Sequence, residues 1–374
     1  MSRIRLAFAA HLHHYSAWLV LFVCLALTAV AWRITDKAIH ANVQPRFHFQ
    51  AEDIASRIGK RLKDYEIILR SGAGLFIASE KIDRQEWHEF VRKLNLPKYL
   101  PGIQALGFSQ LIPANSLQQQ TREIRQQGFP EYTIHPEGER PLYSSIVFIE
   151  PFDTRNQRAF GYDALTDPTR REAMEQARDT GEPTISGQLK LILETEEDIQ
   201  NGFLMYMPVY KRGMPISSIE ERRAAIEGFI FSAFRTRNLM TDILGREMHD
   251  IDLEVFDGPG LATEKLLYDN SPEQIDTIRQ PAGGREFSTA IDIPNSSRPW
   301  TLAMHSRPDY WSPMEEYPAS LMATGGIAID LFIFYLIRSV SRQKKKLEEL
   351  SGLLQEKLQE SELLLSSAVS TIGE

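Results

Sequence analysis

The chain has 374 residues, of which 43% are hydrophobic and 25% are charged, and its formal net charge is −8 at pH 7. This ordinary composition predicts a folded protein, and the acidic balance excludes the basic surface that DNA or RNA binding requires. Because Cys24 is the only cysteine, the folded part has no disulfide, which is more typical of a bacterial periplasm than of an animal extracellular space.

Two apolar spans bracket the middle of the chain. Tyr15–Trp32 and Pro318–Ile337 are each long enough to cross a bilayer as one helix, in contact with membrane lipid. Arg3 and Arg5 precede the first span and a basic cluster follows the second, which predicts cytoplasmic termini. The sequence therefore predicts a multi-pass protein of a Gram-negative inner membrane with a periplasmic middle. A cleaved signal peptide is the alternative for the first span, but no small-residue cleavage site follows Ala31.

The first predicted element outside the membrane is a long amphipathic stalk helix that ends near Ser79. Its apolar residues recur mostly in steps of three or four, at Val43, Phe47, Ile54, Ile58, Leu62, Tyr65 and Leu69. Asp83 and Glu86 have the spacing of a capping box and predict a second helix, which Pro97 ends.

Strands and helices then alternate. The predicted strands cover 103–112, 131–135 and 145–150, with a helix over 115–127 between the first two. Asp167, Pro168 and Gly181 have the spacing of an N-cap, a first-turn proline and a C-terminal glycine, and they predict a further helix.

Two more strands, 185–193 and 203–210, are predicted to form a hairpin through the acidic turn Glu194–Asp198. After a polar crossing at 219–225, a second set is predicted, with a helix over 238–245 and strands over 228–234, 251–256, 266–268, 287–293 and 300–305. The pattern predicts an α+β fold of two strand-rich modules on a helical stalk.

Four segments resemble the CHASE sensor domain. They are LRSGAGLF at Leu69–Phe76, PGIQALGFSQLIP at Pro101–Pro113, GYDALTDPTRREAMEQARDTGEP at Gly161–Pro183 and MPVYKRG at Met207–Gly213. CHASE domains lie outside the membrane in receptor kinases and cyclases, including plant cytokinin receptors. The resemblance implies a long N-terminal stalk helix followed by two PAS-like modules, the first distal and the second proximal to the membrane.

Combined with the spans, the resemblance implies seven segments. They are a cytoplasmic N-terminus at 1–14, a transmembrane helix at 15–34, the stalk helix at 35–80, the distal PAS-like module at 81–225, the proximal module at 226–316, a second transmembrane helix at 317–338 and a cytoplasmic coiled-coil linker at 339–374.

The resemblance also implies a ligand site in the distal module, where the plant receptors hold an adenine derivative against a carboxylate and apolar strand residues. The residues that match are Glu150, Ser186, Leu189, Leu191, Met205 and Met207, with Tyr206 between the two methionines. Because methionine stands where an aromatic side chain would stack on a purine, the expected ligand is an unknown small molecule, with an adenine-like one among the options. The alternative for Glu150 is that it faces solvent or pairs with an arginine such as Arg158.

Three residues are predicted to have structural or signalling roles. Asp163 and Arg170 are expected to hold the loop of the longest matching segment against its helix. Asp330 lies inside the second span, where it needs a partner across a helix interface or a neutral state. The alternative is that it lies close enough to the cytoplasmic end to reach water. Gly325 and Gly326 would allow close helix packing in a homodimer.

The segment beyond the second span predicts a dimeric coiled coil. Leu347, Leu350, Leu354 and Leu358 step by three, four and four, and the final residues resemble the start of a cytoplasmic PAS domain. The alternative is an amphipathic helix on the membrane surface.

The sequence contains no glycine-rich ATP loop, phosphoacceptor histidine helix or cyclase signature, and it predicts no cofactor and no metal site. The histidines at 11, 13 and 14 are expected to lie in an unstructured lead. The predicted function is a transmembrane receptor for a small extracytoplasmic ligand. One alternative is the sensory portion of a histidine kinase or diguanylate cyclase whose catalytic domain lies beyond residue 374, and another is an adhesion or scaffold protein.

Overall fold

A computed structural model describes residues 2–194, 199–245, 250–270, 287–294, 298–307, 310 and 313–372. The chain divides into two compact units, one formed by Met1–Pro45 with Trp311–Glu374 and the other by Arg46–Tyr310. The helices are α1 (Ser2–Ala78), α2 (Arg84–Leu94), α3 (Leu96–Tyr99), α4 (Leu117–Gln126), α5 (Pro168–Thr180), α6 (Ile219–Ala225), α7 (Thr236–Leu244) and α8 (Pro313–Ile372). The strands are β1 (Ile103–Pro113), β2 (Leu142–Glu150), β3 (Thr184–Ile185), β4 (Leu189–Lys190), β5 (Asn201–Tyr210), β6 (Ile226–Arg235), β7 (Ile251–Asp257), β8 (Leu266–Asp269), β9 (Ser288–Ile293) and β10 (Trp300–Ser306).

The larger unit contains two antiparallel sheets. The first has the order β2-β1-β6-β5-β3, with β4 also paired to β5, and the second has the order β8-β7-β10-β9. Phe203 of β5 meets Trp300 of β10 edge to face, with ring centroids 4.9 Å apart. The predicted fold class, a long helix followed by two strand-rich modules, is confirmed.

The stalk part of α1 covers one face of the first sheet. Of its predicted apolar face, Phe47, Ile58, Tyr65 and Leu69 are fully buried. The Tyr65 ring lies 4.7 Å from that of Phe234 on β6. The helix ends at Ala78, as the loss of periodicity near Ser79 predicts.

The opposite face of the first sheet carries α5 and the main apolar cluster. Ala173, Met174 and Ala177 of α5 pack there with Leu204 and Tyr206 of β5. Since successive strand residues point to opposite faces, Leu204 and Tyr206 face α5 while Phe203 and Met205 face α1.

The two capped helices are confirmed. Glu86 N donates to Asp83 Oδ1 at 2.8 Å and Asp83 N donates to Glu86 Oε2 at 3.0 Å, which completes the capping box of α2. The helix ends at Leu94, before Pro97, because Asn95 adopts a left-handed conformation. For α5, Asp167 is the N-cap and Gly181 is the left-handed C-cap.

Three strand predictions need correction. The predicted single strand 185–193 is two short strands, β3 and β4, each of which pairs with β5. The strand at 228–234, predicted to open the second set, is β6 and lies between β1 and β5 in the first sheet. The stretch 131–135 forms no strand and makes only an isolated bridge from His135 to Tyr162. Pro130 and Pro136, which lack an amide N–H, bracket it and limit strand pairing. The predicted turn 194–198 lies outside the described residues except for Glu194.

The smaller unit contains the two apolar stretches, one in α1 and one in α8, and both are long and apolar enough to cross a membrane. Within this unit Thr28 Oγ1 donates to Asp330 Oδ2 at 2.9 Å, and Asp330 is 6% exposed. Gly326 lies against Thr28, where a Cβ would come within 2.5 Å of the threonine side chain. This is one of the two arrangements foreseen for Asp330, a partner across a helix interface.

Candidate functional site

The α5 face of the first sheet buries a positive charge. Arg170, in the first turn of α5, is 4% exposed, and its guanidinium carbon lies 4.8 Å from the centroid of the Tyr162 ring. Its Nη2 donates to the carbonyl of Lys190 at 3.3 Å, and Asp167 Oδ2 is 3.9 Å from Nε. Among the described residues, Nε has no hydrogen-bond partner. The guanidinium therefore retains unused donor capacity in a buried place.

A phenol lies in the same cluster. Tyr206 of β5 is 2% exposed, and burial raises the pKa of Tyr206 well above its usual value, against the opposing effect of the Arg170 charge. The phenol is therefore neutral at physiological pH. A buried cation beside a neutral phenol can bind carboxylate or other acceptor groups, because charge-assisted hydrogen bonds are strong where water is excluded.

Leu189 and Leu191, both predicted to contact ligand, belong to the apolar cluster on this face. They lie in and beside β4, and β3 and β4 are each joined to β5 by two residue pairs. Ser186 lies between these short strands, where Oγ accepts from Leu204 N at 2.9 Å and donates to Gly187 O at 2.9 Å. The hydroxyl is thus engaged by backbone.

The other predicted ligand contacts lie on the α1 face. Glu150 pairs in register with Leu106 at the end of β2, and its Oε1 lies 3.1 Å from Nδ1 of His88 on α2. Met205 is fully buried and Met207 is half-buried on the same face of β5. The structure does not bring the six residues together around one pocket, and their ligand contacts stay predictions.

Asp163 fastens the loop that leads into α5. Its side chain is fully buried, and Oδ1 accepts from Ser144 N at 2.8 Å and from Leu165 N at 3.1 Å. Arg140 Nε lies 3.0 Å from Oδ2. These contacts fit a structural role for Asp163 in holding the loop before α5. That role stays a prediction.

Sequence reasoning missed a buried ion pair at the edge of the α5 face. Arg235, at the end of β6, donates through Nε and Nη2 to the two carboxylate oxygens of Glu194 at 2.8 and 3.0 Å. Arg158, the alternative partner considered for Glu150, instead donates to the Glu194 carbonyl at 3.1 Å. No local pattern indicates these pairs, because the partners are far apart in the chain.

A family comparison matches the CHASE domain at residues 80–268, about half of the 374-residue chain. One curated relative is hybrid signal transduction histidine kinase A of Dictyostelium discoideum, which is 30% identical over 132 residues. The match covers 34% of this chain and 6% of the relative, so the chain spans only a small part of that protein's length.

Similar solved structures include sensory domains of bacterial chemoreceptors. The ligand-binding domain of Pseudomonas aeruginosa PctB with L-Arg is 10% identical, with a TM-score of 0.42, and covers 79% of this chain and 99% of that domain. The PctC domain with GABA, from the same organism, is 12% identical, with a TM-score of 0.38 and coverages of 68% and 95%. The periplasmic sensory domain of Campylobacter jejuni Tlp1 is 12% identical, with a TM-score of 0.37 and coverages of 72% and 94%.

The matched residues 80–268 contain the whole first sheet, α5 and three of the four resembling segments. The chain belongs to the CHASE family of sensory domains.

Proposed function

We propose that this chain is a transmembrane receptor that binds a small periplasmic molecule on the α5 face of its first sheet. The observation that supports this most is the buried Arg170 guanidinium, which lies in the same cluster as the neutral Tyr206 phenol and whose Nε, 3.9 Å from Asp167, has no hydrogen-bond partner in the described part of the chain. Buried charges are costly unless they are paired, so a ligand that supplies acceptor atoms would bind there strongly. A carboxylate would do so, and so would the ring nitrogens of an adenine-like molecule.

Entry occurs through the β3–β4 wall. Each of these strands has two residue pairs with β5, so opening this wall breaks those pairs and the two Ser186–Leu204 hydrogen bonds while β1, β2, β5 and β6 stay paired. Leu189 and Leu191 then contact the apolar part of the ligand. Glu150, Met205 and Met207 contact the ligand only if it also reaches the opposite face of the sheet.

Transmission uses the terminal helices. The first apolar span and the stalk belong to the same helix, α1, and α8 contains the second span and the leucine series after it. Leu347, Leu350, Leu354 and Leu358 are 57–71% exposed, which suits burial against a second copy in a parallel dimer. Ligand binding shifts the stalk, and the paired helices carry the shift to the cytoplasm.

A second candidate is that the chain is the sensory portion of a histidine kinase or diguanylate cyclase whose catalytic domain lies beyond residue 374. The 30% identity with a hybrid histidine kinase favours the kinase form of this candidate. Reading the genomic frame downstream of residue 374 tests it, and a stop codon directly after that residue would exclude it.

The ligand site is tested by thermal unfolding of the full chain in lipid nanodiscs with amino acids, other carboxylates and adenine derivatives. A ligand at about 100 times its Kd should stabilise the protein by about 2.7 kcal/mol. Arg170→Gln should abolish most of that shift, because it removes the buried charge. Arg171→Gln, a matched change at the exposed neighbouring arginine, should leave it intact. Equal shifts in the two variants would contradict the proposed site.

A further inference from the structure

The guanidinium of Arg84, the first residue of α2, lies among four phenylalanine rings. Its central carbon is 4.3 Å from the ring centroid of Phe129, 5.1 Å from Phe160, 5.4 Å from Phe148 and 5.9 Å from Phe152. Several aromatic faces around one cation are the arrangement that proteins use to bind guanidinium and methylated ammonium groups.

The cage is held together by its own rings. Phe129 lies 5.0 Å from Phe160 and 5.6 Å from Phe152, and Phe152 and Phe160 are 5.4 Å apart. Phe148, on β2, stacks on Trp87 of α2 with centroids 6.0 Å apart. Because the contacts among Phe129, Phe152 and Phe160 involve neither Arg84 nor α2, these three rings should keep their arrangement when the guanidinium leaves.

Arg84 is not anchored as buried arginines usually are. Its Nη2 donates to the Val147 carbonyl at 2.9 Å, while Nε is buried without a partner, and it forms no salt bridge among the described residues. Burial lowers the pKa of Arg84, and the negative charge of Glu150 opposes this most. The aromatic faces and a nearby carboxylate, rather than a direct ion pair, therefore balance the charge.

Solvent reaches the edge of this cage. A cleft of about 600 Å³ opens between the end of α1, α2, α4 and the strands β1 and β2, and Arg84 and Phe148 contribute to its lining. The side chain of Arg84 thus lies at the boundary between an open cleft and an aromatic cage. The rings of Phe129, Phe152 and Phe160 do not line the cleft, so a small molecule there meets Arg84 and Phe148 first and reaches the other rings only when the guanidinium moves out.

We propose that Phe129, Phe148, Phe152 and Phe160, with Glu150, form a second binding site whose ligand is a small organic cation bearing a guanidinium or methylated ammonium group. Arg84 occupies this site as a tethered competitor. A free cation displaces it and releases the first turn of α2, which begins at Arg84, shortly after α1 ends at Ala78. Phe148 and Glu150 face α2, on the side of the sheet opposite Arg170, whereas Phe152 also packs against the apolar cluster of the α5 face.

The test uses the full chain in nanodiscs, titrated with methylguanidinium chloride or tetramethylammonium chloride against equal concentrations of sodium chloride. Thermal unfolding and saturation-transfer NMR of the cation are measured for the wild type, Arg84→Ala and Arg84→Gln. Both variants should bind the cation saturably and gain thermal stability from it. The wild type should bind at least about tenfold more weakly, because the tethered side chain has an effective concentration in the millimolar range.

Phe160→Leu in the Arg84→Ala background removes one face of the cage and should weaken binding by at least about tenfold. Equal binding with and without Phe160→Leu would overturn the proposal, as would responses of both Arg84 variants that match sodium chloride. If neither variant folds, with or without the cation, the titration of the wild type decides. A wild-type response to the cation that does not saturate and equals the response to sodium chloride would overturn the proposal. A merely structural Arg84 would show lower stability in the variants and no saturable recovery.

Discussion

Replacing Asp163 with alanine should destabilise the larger unit strongly. The substitution removes the acceptor of a buried backbone N–H, that of Ser144, and of a partly buried one, that of Leu165, and it leaves Arg140 without its carboxylate. An orphaned buried donor costs about 1–3 kcal/mol, so the loss should total about 3–5 kcal/mol. For a unit of this size, that corresponds to a fall in Tm of about 10 °C.

The assay is thermal unfolding of the full chain in detergent, followed by tryptophan fluorescence. Asp163→Asn keeps one carbonyl acceptor in place and should lose less stability than Asp163→Ala. Glu131→Ala, at an exposed carboxylate, should change the free energy of unfolding by less than about 0.5 kcal/mol. A Tm for Asp163→Ala as high as that of Glu131→Ala would refute the reasoning that this carboxylate fastens the loop before α5.

Two further predictions concern the C-terminal end of α5 and the loop that precedes this helix. Hydrogen bonds from Arg223 and then Arg178 hold the pKa of Asp179 below its usual value, so its stabilising contribution is present above about pH 4 and is lost as the pH falls further. The free energy of unfolding in urea, measured from pH 6 to pH 3, should therefore fall less in Asp179→Asn than in the wild type. The difference should be at most about 1 kcal/mol because the pair is partly exposed. Parallel pH dependences in the two proteins would contradict this. Gly161 has φ +87° and a Cβ there would meet a backbone oxygen at 2.2 Å, whereas Gly181, with φ +79°, has its nearest atoms at 3.7 Å. Gly161→Ala should therefore cost at least about 2 kcal/mol more than Gly181→Ala in urea unfolding, and equal costs would show that the close approach relaxes freely.

Elements with local signals were predictable from the sequence. The apolar face of α1 follows from its periodicity, and the ends of α2 and α5 follow from Asp83, Asp167 and Gly181. Each signal lies within a few residues of the element it defines, so no knowledge of tertiary structure is needed.

Sheet membership was less predictable. β6 follows α6 directly in the chain, yet it pairs with β1, more than 100 residues earlier, and this register depends on which strand faces are buried. The strand at 131–135 fits a propensity pattern but lacks a continuous partner strand. Long-range pairing decided both cases.

The candidate site was predictable only in part. The resemblance indicated the module and the α5 segment that contain the proposed site, but Leu191 and Met205 lie on opposite faces of the first sheet. Neither the bonding of Arg170 nor the cage around Arg84 has a sequence signature, because Phe129 and Phe160 come together only through the fold. Spacing along the chain carries no information about such contacts.

The central claim, a sensory domain outside the membrane between two spans, is tested most directly by cysteine labelling in intact cells. With Cys24→Ala as background, Glu131→Cys and Gln355→Cys each supply a single exposed thiol, in the first sheet module and in α8. A membrane-impermeant maleimide applied to cells with a permeabilised outer membrane should label Glu131→Cys, and it should label Gln355→Cys only after the inner membrane is lysed. Protection of Glu131→Cys before lysis, or equal labelling of the two variants, would contradict the account.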